Sequence, residues 1–386
     1  FHKAVENIVQ KNLFRKFITQ NGQNGSHILL NGESYLNFSS NDYLGLANSH
    51  LIRKTTIQTL ENYGTGAGAS RYITGNVSPY LELEEVIKTW LSVVDVLIFS
   101  SGYQANLGVI PTITSIERDH WIIFSDELNH ASLIDGCKLS KCNVIVYKNR
   151  DMNDLENSLQ LHRNTKYKLI ISDAVFSMDG TLAPLGDLIH LSKKHHAFLF
   201  IDEAHSFGTL GETGRGLCEH YHLTDKPDLV LGTLGKAFGS FGAFVIGDTP
   251  IIEFLRQKCR TSIFTTALPP SVLKASALAI RYVQNHPSRV KKLQANIKML
   301  AQLLNKIGQI EFPFCDHHTP IFPIIVKEET KALELEKYLF DRKIFARGIR
   351  PPTVPPNTSR LRVTITAKHS QKHIEFFFQQ LQNYFS

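Results

Sequence analysis

The chain has 386 residues, of which 42% are hydrophobic and 20% are charged, a balance typical of a globular protein with a large core. Its formal net charge is +7, but lysine and arginine are spread along the chain, so the charge does not indicate a nucleic-acid partner. No apolar run is long enough to cross a bilayer, which predicts no membrane segment, and five cysteines without a CxxC pair favour a reducing, cytoplasmic location.

The central part of the chain alternates short apolar runs with amphipathic segments. The runs are VLIF (96–99), WIIF (121–124), VIVY (144–147), LIIS (169–172), FLFI (198–201) and DLVL (228–231). Each has the length of a strand and lacks polar alternation, as expected of strands buried on both faces of a sheet. Helical patterns separate the runs, for example at residues 151–162, where Asp151 is placed to cap the helix. The sequence therefore predicts an α/β fold with a mainly parallel central sheet.

The remainder of the chain predicts a smaller second part. An amphipathic stretch from Pro270 to about Ile307 suits linking helices, and strand-like sequence and a closing helix follow it. Within this part, the proline-rich residues 349–356 predict a rigid loop. We therefore predict an N-terminal segment at 1–45, a large cofactor-binding α/β domain at 46–270, and a linker helix with a small α+β domain at 271–386.

Residues 202–205 spell DEAH, a signature found in one class of nucleic-acid helicases. A helicase also needs the phosphate-binding loop G-x-x-x-x-G-K-[ST]. The nearest candidate contains Gly235 and Lys236 but continues with Ala237, and the first glycine of the loop is missing. The helicase interpretation therefore fails.

Polar residues that follow the apolar runs indicate a different kind of site. Asp202 and His205 have no third ligand at a familiar spacing, so no metal site is predicted. The carboxyl ends of parallel strands form one edge of a sheet, where ligands of α/β folds bind. The residues expected at this edge are Gly102, Tyr103, His130, Asp173, Asp202, Thr233 and Lys236. Their carboxylates, histidine, hydroxyls and lysine suit a phosphorylated aromatic cofactor that the lysine can bond.

Longer motifs carry a family resemblance. They are FSSNDYLGL (38–46), GTGAGASRYITGN (64–76), LNHASLIDG (128–136), FSMDGTLAPL (176–185), DEAHSFG (202–208), GTLGKAFG (232–239) and RLRVTITAKH (360–369). With these motifs the chain resembles the α-oxoamine synthases, which are pyridoxal 5'-phosphate enzymes of fold type I, from about Arg15 to its end. That family condenses an amino acid with an acyl thioester and releases carbon dioxide. GIRPPTVP (348–355) is most similar to the member that joins L-alanine to a pimeloyl thioester in biotin biosynthesis.

The resemblance implies a role for each residue that matches a cofactor-binding motif. Lys236 would bond the cofactor aldehyde as a Schiff base, and Asp202 would pair with the pyridine nitrogen. His130 would stack on the ring, while His205 and Ser177 would bond its 3′ oxygen. These assignments make Lys236, His130, Asp202 and His205 the candidate catalytic residues. Without the neighbouring motifs, Asp202 would more simply be a helix cap and Lys236 a surface residue.

The resemblance also implies that two chains share each active site. Gly102, Tyr103 and Thr233 match groups around the phosphate and the ring edge. Thr265 and Thr266 match a segment that reaches the phosphate from a partner subunit. We therefore expect a homodimer.

Four further residues match positions that bind substrate, and His130 is expected to contact substrate as well. Arg362 matches the arginine that holds the amino-acid carboxylate, and Arg360 is the alternative if the register differs by two residues. Asn41 matches a neighbour of the same carboxylate. Arg15 and Thr353 match contacts to the acyl substrate.

Several alternatives stay open at this level. The acyl carrier is either coenzyme A or an acyl carrier protein. A member of the family that uses glycine would share the same cofactor residues. From another class, a non-catalytic subunit would retain the fold, although such subunits typically lose the lysine found here at position 236.

Overall fold

The computed structural model describes residues 1–11, 13–310 and 318–386. The chain forms two units: a large unit of Ser49–Phe176 and Leu182–Val290, described throughout, and a small unit of Phe1–Asn48, Ser177–Thr181 and Lys291–Ser386. The three-part division made from the sequence stays a prediction. In the part of the chain that is described, no helix combines the length and the apolar character needed to span a membrane.

Strands and helices alternate along most of the described chain. The strands are β1 (His27–Leu30), β2 (Glu33–Asn37), β3 (Asp95–Phe99), β4 (Trp121–Asp126), β5 (Asn143–Tyr147), β6 (Tyr167–Asp173), β7 (Phe198–Asp202), β8 (Leu229–Thr233), β9 (Ala243–Gly247), β10 (Ile321–Lys327), β11 (Ile344–Phe345), β12 (Arg347–Ile349) and β13 (Ser359–Thr364). The helices are α1 (His2–Gln10), α2 (His50–Tyr63), α3 (Ser78–Leu91), α4 (Gly102–Ile113), α5 (Ala131–Ser140), α6 (Met152–Leu161), α7 (Leu185–Lys194), α8 (Leu217–His220), α9 (Thr249–Lys258), α10 (Arg260–Ile263), α11 (Pro270–Asn285), α12 (Ser288–Leu304), α13 (Glu329–Phe340) and α14 (Gln371–Phe385).

The large unit is built on one sheet with the strand order β3-β9-β8-β7-β6-β4-β5. Neighbouring strands are parallel except for β9, which is antiparallel to both β3 and β8. All six apolar runs lie in this sheet, and the prediction of a mainly parallel α/β sheet is confirmed. Since β9 is antiparallel to both of its neighbours, β3 and β8 run in the same direction. The carboxyl ends of the six strands other than β9 therefore lie on the same edge of the sheet.

Local sequence explains where the helices around this sheet begin and end. Asp151 accepts hydrogen bonds from the backbone nitrogens of Asn153 and Asp154, so the predicted cap of α6 is confirmed. The long amphipathic stretch that starts at Pro270 forms two helices rather than one. The break falls at Pro287, which lies between α11 and α12 and has no backbone N–H to continue the first helix.

The described part of the small unit contains two sheets, with strand orders β1-β2-β11 and β10-β13-β12. Strand β13 lies between β10 and β12 and is antiparallel to both. Its six residues are all buried, including two arginines, Arg360 and Arg362. The proline-rich loop joins β12 to β13, and the closing helix α14 buries Ile374, Phe377 and Leu381 on one face.

A buried histidine stabilises the turn that follows β13 through hydrogen bonds at both ring nitrogens. His369 Nδ1 accepts a hydrogen bond from the Thr366 backbone nitrogen at 3.0 Å, and its Nε2 donates to the Asn37 carbonyl at 3.0 Å. Its ring stacks on Phe38 with centroids 4.4 Å apart. Burial lowers the pKa of His369 to about 3, because the charged ring would be cut off from water, and the nearby His373 lowers it further.

This histidine makes stability fall in acid. The pKa of His369 is about 3 in the folded chain and 6.5 for an ordinary histidine, so below pH 6.5 the unfolded chain binds a proton that the folded chain does not. We expect the free energy of unfolding to fall by about 2 kcal/mol between pH 6.5 and pH 5 through this residue alone. Urea unfolding gives the free energy of unfolding of the wild type and of His369→Gln at both pH values. The contribution of His369 is the pH-dependent change in the wild type minus the change in the variant. Equal pH dependence in the two proteins would contradict this account.

Candidate active site

A lysine and a histidine meet at the carboxyl edge of the large-unit sheet. Asp202 is the last residue of β7 and His205 follows it by one turn, while Thr233 ends β8 and Lys236 follows it in the same way. Lys236 Nζ lies 2.9 Å from His205 Nε2, so one of these nitrogens donates a hydrogen bond to the other. The two strand ends therefore place an amine beside an imidazole that can exchange a proton with it.

The Asp202 carboxylate is buried, with 5% of its surface exposed. Oδ2 accepts a hydrogen bond from Asn106 Nδ2 at 2.8 Å, and Oδ1 accepts one from the Ala204 backbone nitrogen at 3.0 Å. Both donors are neutral, so they orient the carboxylate without neutralising its charge. A buried carboxylate of this kind stabilises a cation brought next to it, such as a protonated ring nitrogen.

His130 is held through both its backbone and its ring. It caps α5, and its Nδ1 lies 2.7 Å from Ser132 Oγ and 3.2 Å from the Ser132 backbone nitrogen. Its own backbone nitrogen donates to Asp173 Oδ2 at 2.6 Å. Burial lowers the pKa of His130, although the Asp202 charge opposes this effect. Burial, together with Asp202, raises the pKa of Asp173 well above its usual range. His130 is therefore a fixed, neutral ring near pH 7.

The start of α4 provides a place for an anion. The helix begins at Gly102 after β3, and Ser101 caps it by accepting from the Gln104 backbone nitrogen. A side chain at position 102 would meet Thr233 Cγ2 at 2.9 Å, so only glycine fits here. The backbone N–H groups in the first turn of a 12-residue helix attract phosphate. Tyr103 in this turn donates a hydrogen bond from its hydroxyl to Asp135.

The remaining carboxylate of the DEAH segment has a structural role. Glu203 is buried and accepts hydrogen bonds from Ser206 Oγ and from the Leu217 backbone nitrogen, the latter at 3.1 Å to Oε2. Burial raises the pKa of Glu203 to about 7. Asp202 and His205 face the edge of the sheet, whereas Glu203 joins the segment to the start of α8.

The small unit holds a second group of predicted residues around Arg362. Arg362 Nε donates to the Ser177 carbonyl at 2.7 Å, and Nη1 donates to Asn41 Oδ1 at 3.3 Å. Tyr43 donates to the same Asn41 oxygen at 3.1 Å. Ser177, Asn41 and Arg362, which lie far apart in the sequence, are thus brought together.

The two arginines of β13 have different partners. Arg360 Nη1 forms an ion pair with Asp179 at 2.5 Å and also donates to the Met178 carbonyl. Its charge is therefore matched within the chain. Arg362 instead bonds to the neutral oxygens of Ser177 and Asn41. Its charge is available for an anion, which favours Arg362 over Arg360 as the ligand of a substrate carboxylate.

The two residues predicted to contact the acyl substrate also lie together in the small unit. Arg15 Nη2 donates to Thr353 Oγ1 at 3.0 Å. Arg350 is a third cation near this pair. Burial lowers its pKa, the charge of Glu336 opposes this effect, and the charges of Arg15 and Arg347 add to it. Glu336 balances part of this charge through an ion pair with Arg347.

Thr265 and Thr266 are not brought to the Lys236 cluster. They lie in the segment between α10 and α11, and Thr266 is exposed. In the large unit, which is described throughout, no hydrogen bond joins either threonine to Lys236, His205 or Asp202. Their predicted role toward a partner subunit stays a prediction.

Two polar residues that the sequence did not single out complete the large-unit cluster. Asn106 on α4 and Ser132 on α5 are both buried, and Asn106 Nδ2 lies 2.9 Å from Ser132 Oγ. They stand between Asp202 and His130. The motifs that contain them, GYQANLG and NHAS, are the signal that could have drawn attention to them.

Comparison with known proteins gives the family. A model described as aminotransferase class I and II matches residues 33–381. The 8-amino-7-oxononanoate synthase of Thermoanaerobacter pseudethanolicus is 40% identical over 374 residues, covering 97% of this chain and 93% of that protein. The serine palmitoyltransferase of S. paucimobilis with bound PLP–myriocin aldimine has a TM-score of 0.92 at 26% identity, covering 99% of this chain and 96% of that one. The 8-amino-7-oxononanoate synthase of Francisella tularensis has a TM-score of 0.78 at 29% identity, covering 91% and 97%.

The chain therefore belongs to the class I and II aminotransferase family, with the fold of the type I pyridoxal-phosphate transferases. Within that class it belongs with the 8-amino-7-oxononanoate synthases, which are α-oxoamine synthases. The resemblance and the fold class predicted from the sequence are both confirmed.

Proposed function

We propose that the protein uses pyridoxal 5'-phosphate to condense L-alanine with a pimeloyl thioester, giving 8-amino-7-oxononanoate, carbon dioxide and a free thiol in biotin biosynthesis. One observation carries the enzymatic part of this proposal: the amine of Lys236 lies 2.9 Å from the His205 imidazole, at the sheet edge where the buried Asp202 ends β7. The choice of reaction rests on relatives of this name at about 40% identity over nearly the whole chain.

The residues of the large unit fit the cofactor. Lys236 supplies the amine for its aldehyde, and Asp202 supplies a charge for its ring nitrogen. Gly102 packs against Thr233 at the start of α4, and the backbone N–H groups of this first turn suit its phosphate. When bound, the cofactor supplies an electron-withdrawing ring that stabilises negative charge at the α-carbon of an amino acid.

The chain's own residues would then handle the proton and the carboxylate. Lys236 Nζ takes the proton from the α-carbon of alanine, with His205 Nε2 as the neighbouring group that shares it. Arg362 binds the alanine carboxylate, as its neutral partners suggest. The α-carbon bonds to the thioester carbonyl carbon, the thiolate leaves, and the carboxylate departs as carbon dioxide. A proton then replaces the carboxylate on the α-carbon.

The small unit suggests what kind of acyl donor is bound. Arg15 reaches Thr353 in the proline-rich loop, and Arg350 adds positive charge near it, whereas Arg347 is paired with Glu336. Coenzyme A and acyl carrier proteins are both acidic, and a pimeloyl chain ends in a second carboxyl group or its ester. This concentration of cations supports an anionic donor and leaves the choice between the two carriers to experiment.

The substrate assignment predicts a definite order of activities. Alanine is expected to exceed glycine by about 10- to 200-fold, because one buried methyl group contributes only about 1–3 kcal/mol. Pimeloyl thioester is expected to exceed acetyl, succinyl and palmitoyl thioesters. Purified protein assayed with each pair, with product masses as the readout, tests both statements.

A variant of the acyl contact sharpens the same assay. Thr353→Ala is expected to raise KM for the thioester while leaving the alanine-induced change in cofactor absorbance intact. The neighbouring Thr358→Ala is the matched control, because its hydroxyl bonds only to the Pro355 carbonyl within the loop. If glycine with acetyl thioester were the better pair, a glycine-using family member would replace the proposed reaction.

We also propose that the protein works as a homodimer in which Thr265 and Thr266 reach the cofactor of the partner subunit. Apolar side chains on the large unit support this proposal. Ile73 is 75% exposed and Phe264, directly before the two threonines, is 70% exposed. The segments that carry them are adjacent, since the Ala267 backbone N–H donates to the Ala69 carbonyl, and contiguous exposed apolar patches mark surfaces that bind another protein. A cytoplasmic location remains part of the proposal.

Subunit mixing tests the shared site. One chain carries Lys236→Ala, and the other carries Thr265→Ala with Thr266→Ala. A mixed dimer then has one site with both defects and one site with neither. Random reassociation of equal amounts is expected to restore about a quarter of wild-type activity from two poorly active proteins. No recovery, with mixed dimers verified by native mass spectrometry, would rule out threonines supplied by the partner.

A further inference from the structure

A continuous path of hydrogen bonds joins Asp202 to His130 through two buried side chains. Asn106, with no exposed surface, places Nδ2 at 2.8 Å from Asp202 Oδ2 and at 2.9 Å from Ser132 Oγ. Because an ionised carboxylate only accepts hydrogen bonds, the amide nitrogen must face it. The two N–H groups of Asn106 are therefore both used, one toward Asp202 and one toward Ser132.

The next link fixes the protonation of the imidazole. The Ser132 backbone N–H can only donate, and it lies 3.2 Å from His130 Nδ1, so Nδ1 is an acceptor. Ser132 Oγ lies 2.7 Å from the same nitrogen and already accepts from Asn106. Its own hydrogen therefore points to Nδ1. The neutral His130 ring carries its proton on Nε2.

Asn106 donates to these two partners but leaves its own side-chain oxygen without a hydrogen bond. Its side-chain oxygen Oδ1 is buried and has no hydrogen-bond partner among the described residues. A buried acceptor without a partner is destabilising. If Asn106 served only stability, we would expect both its side-chain oxygen and its side-chain nitrogen to have partners. Its position instead serves the two hydrogen bonds that Nδ2 donates.

We infer that Asn106 and Ser132 are positioning residues, which hold the Asp202 carboxylate and the His130 tautomer in one fixed arrangement. Both oxygens of Asp202 accept one hydrogen bond each, from Asn106 and from Ala204, so the carboxylate cannot rotate. His130 is set to donate from Nε2 and cannot act as a base there in its resting state. The catalytic consequence rests on the proposed function, whereas the tautomer does not.

The first experiment is NMR of the full-length protein labelled with ¹⁵N-histidine, with the His130 signals identified by their loss in His130→Asn. The wild type is expected to show Nδ1 without a proton and Nε2 with one, in both the cofactor-free and the loaded protein. Ser132→Ala is expected to shift the Nδ1 signal without protonating this nitrogen, because the backbone N–H of residue 132 still donates to it. A proton on Nδ1 of the wild type would overturn the inference.

The second experiment separates positioning from structural support. Asn106→Leu keeps the bulk but removes both donors, and kcat is expected to fall about 10- to 100-fold, as for hydrogen bonds to charged groups. KM for the thioester should change less than twofold, and the absorbance band of bound cofactor should shift because Asp202 is no longer fixed. Thr112→Val is the control, since it removes a buried hydroxyl of α4 that bonds only to Gly108 within the helix.

The outcomes distinguish the inference from the proposed reaction. If Asn106→Leu lowers kcat while the cofactor absorbance and the His130 Nδ1 signal stay unchanged, Asn106 is only structural and the inference is wrong. The inference is also wrong if Thr112→Val has the same effects as Asn106→Leu. If the wild type shows the expected tautomer but does not condense alanine with the thioester, the positioning role stands and the proposed substrates fail.

Discussion

Lys236→Ala is expected to lower turnover by at least about 10³-fold while leaving the fold unchanged, because the substitution removes both the group that bonds the cofactor and the base for the α-proton. The amine is half-buried beside His205, and no other lysine of the fully described large unit shares that contact. Borohydride reduction followed by peptide mass spectrometry should place the cofactor on the peptide containing Lys236 in the wild type and on none in the variant.

Lys258→Ala is the matched control for this experiment. Lys258 ends α9 in the same unit and is exposed, so its removal deletes one positive charge without touching the cluster. We expect this variant to retain wild-type turnover and the reduced-cofactor peptide. A Lys236→Ala protein with normal activity, or a cofactor attached to another lysine, would refute the assignment.

Asp202→Asn is expected to lower turnover by about 10²-fold or more, which is the typical effect of removing a preorganised charge from an active site. The amide has the same shape, but it cannot balance a protonated ring nitrogen, and its NH₂ group would face a donor, either Asn106 or the Ala204 backbone. Turnover at saturating substrate and the absorbance of bound cofactor measure the effect.

Asp126→Asn shows whether any buried carboxylate at this sheet edge gives the same result. Asp126 ends β4, is 2% exposed, and accepts hydrogen bonds from Leu128, Asn149 and Arg150. Its loss is expected to lower stability with little change in cofactor absorbance. If Asp126→Asn and Asp202→Asn lowered turnover equally, the effect would be structural, and Asp202 would be only a cap for the turn after β7.

The central sheet was largely predictable because its strands carry a strong local signal. A strand covered on both faces must be apolar throughout, and six such runs stand out in the sequence. Strand β9 was missed because its five residues, AFVIG, are short and lie between Gly242 and a glycine at their own end, which is typical of a loop. Its antiparallel direction follows from pairing with β3 and β8, about which its own residues carry no information.

The candidate site was predictable only where it lies in long motifs. Lys236, Asp202 and His205 each follow a predicted strand, and their motifs matched a known family before any geometry was available. The difference between Arg360 and Arg362 was not predictable in this way. Both lie on β13 two residues apart, and only the contact of Arg360 with Asp179 shows which arginine has its charge matched.

The sequence by itself therefore determined the fold class, the family and the residues that carry the chemistry, because burial patterns and motifs are local properties of the chain. Tertiary structure decided which of these residues meet and what holds them. Asn106 and Asp202 are 96 positions apart, and their hydrogen bond exists only because α4 packs where β7 ends. Contacts of this kind depend on strand order and helix packing to within an ångström, and the spacing of residues along a chain does not record them.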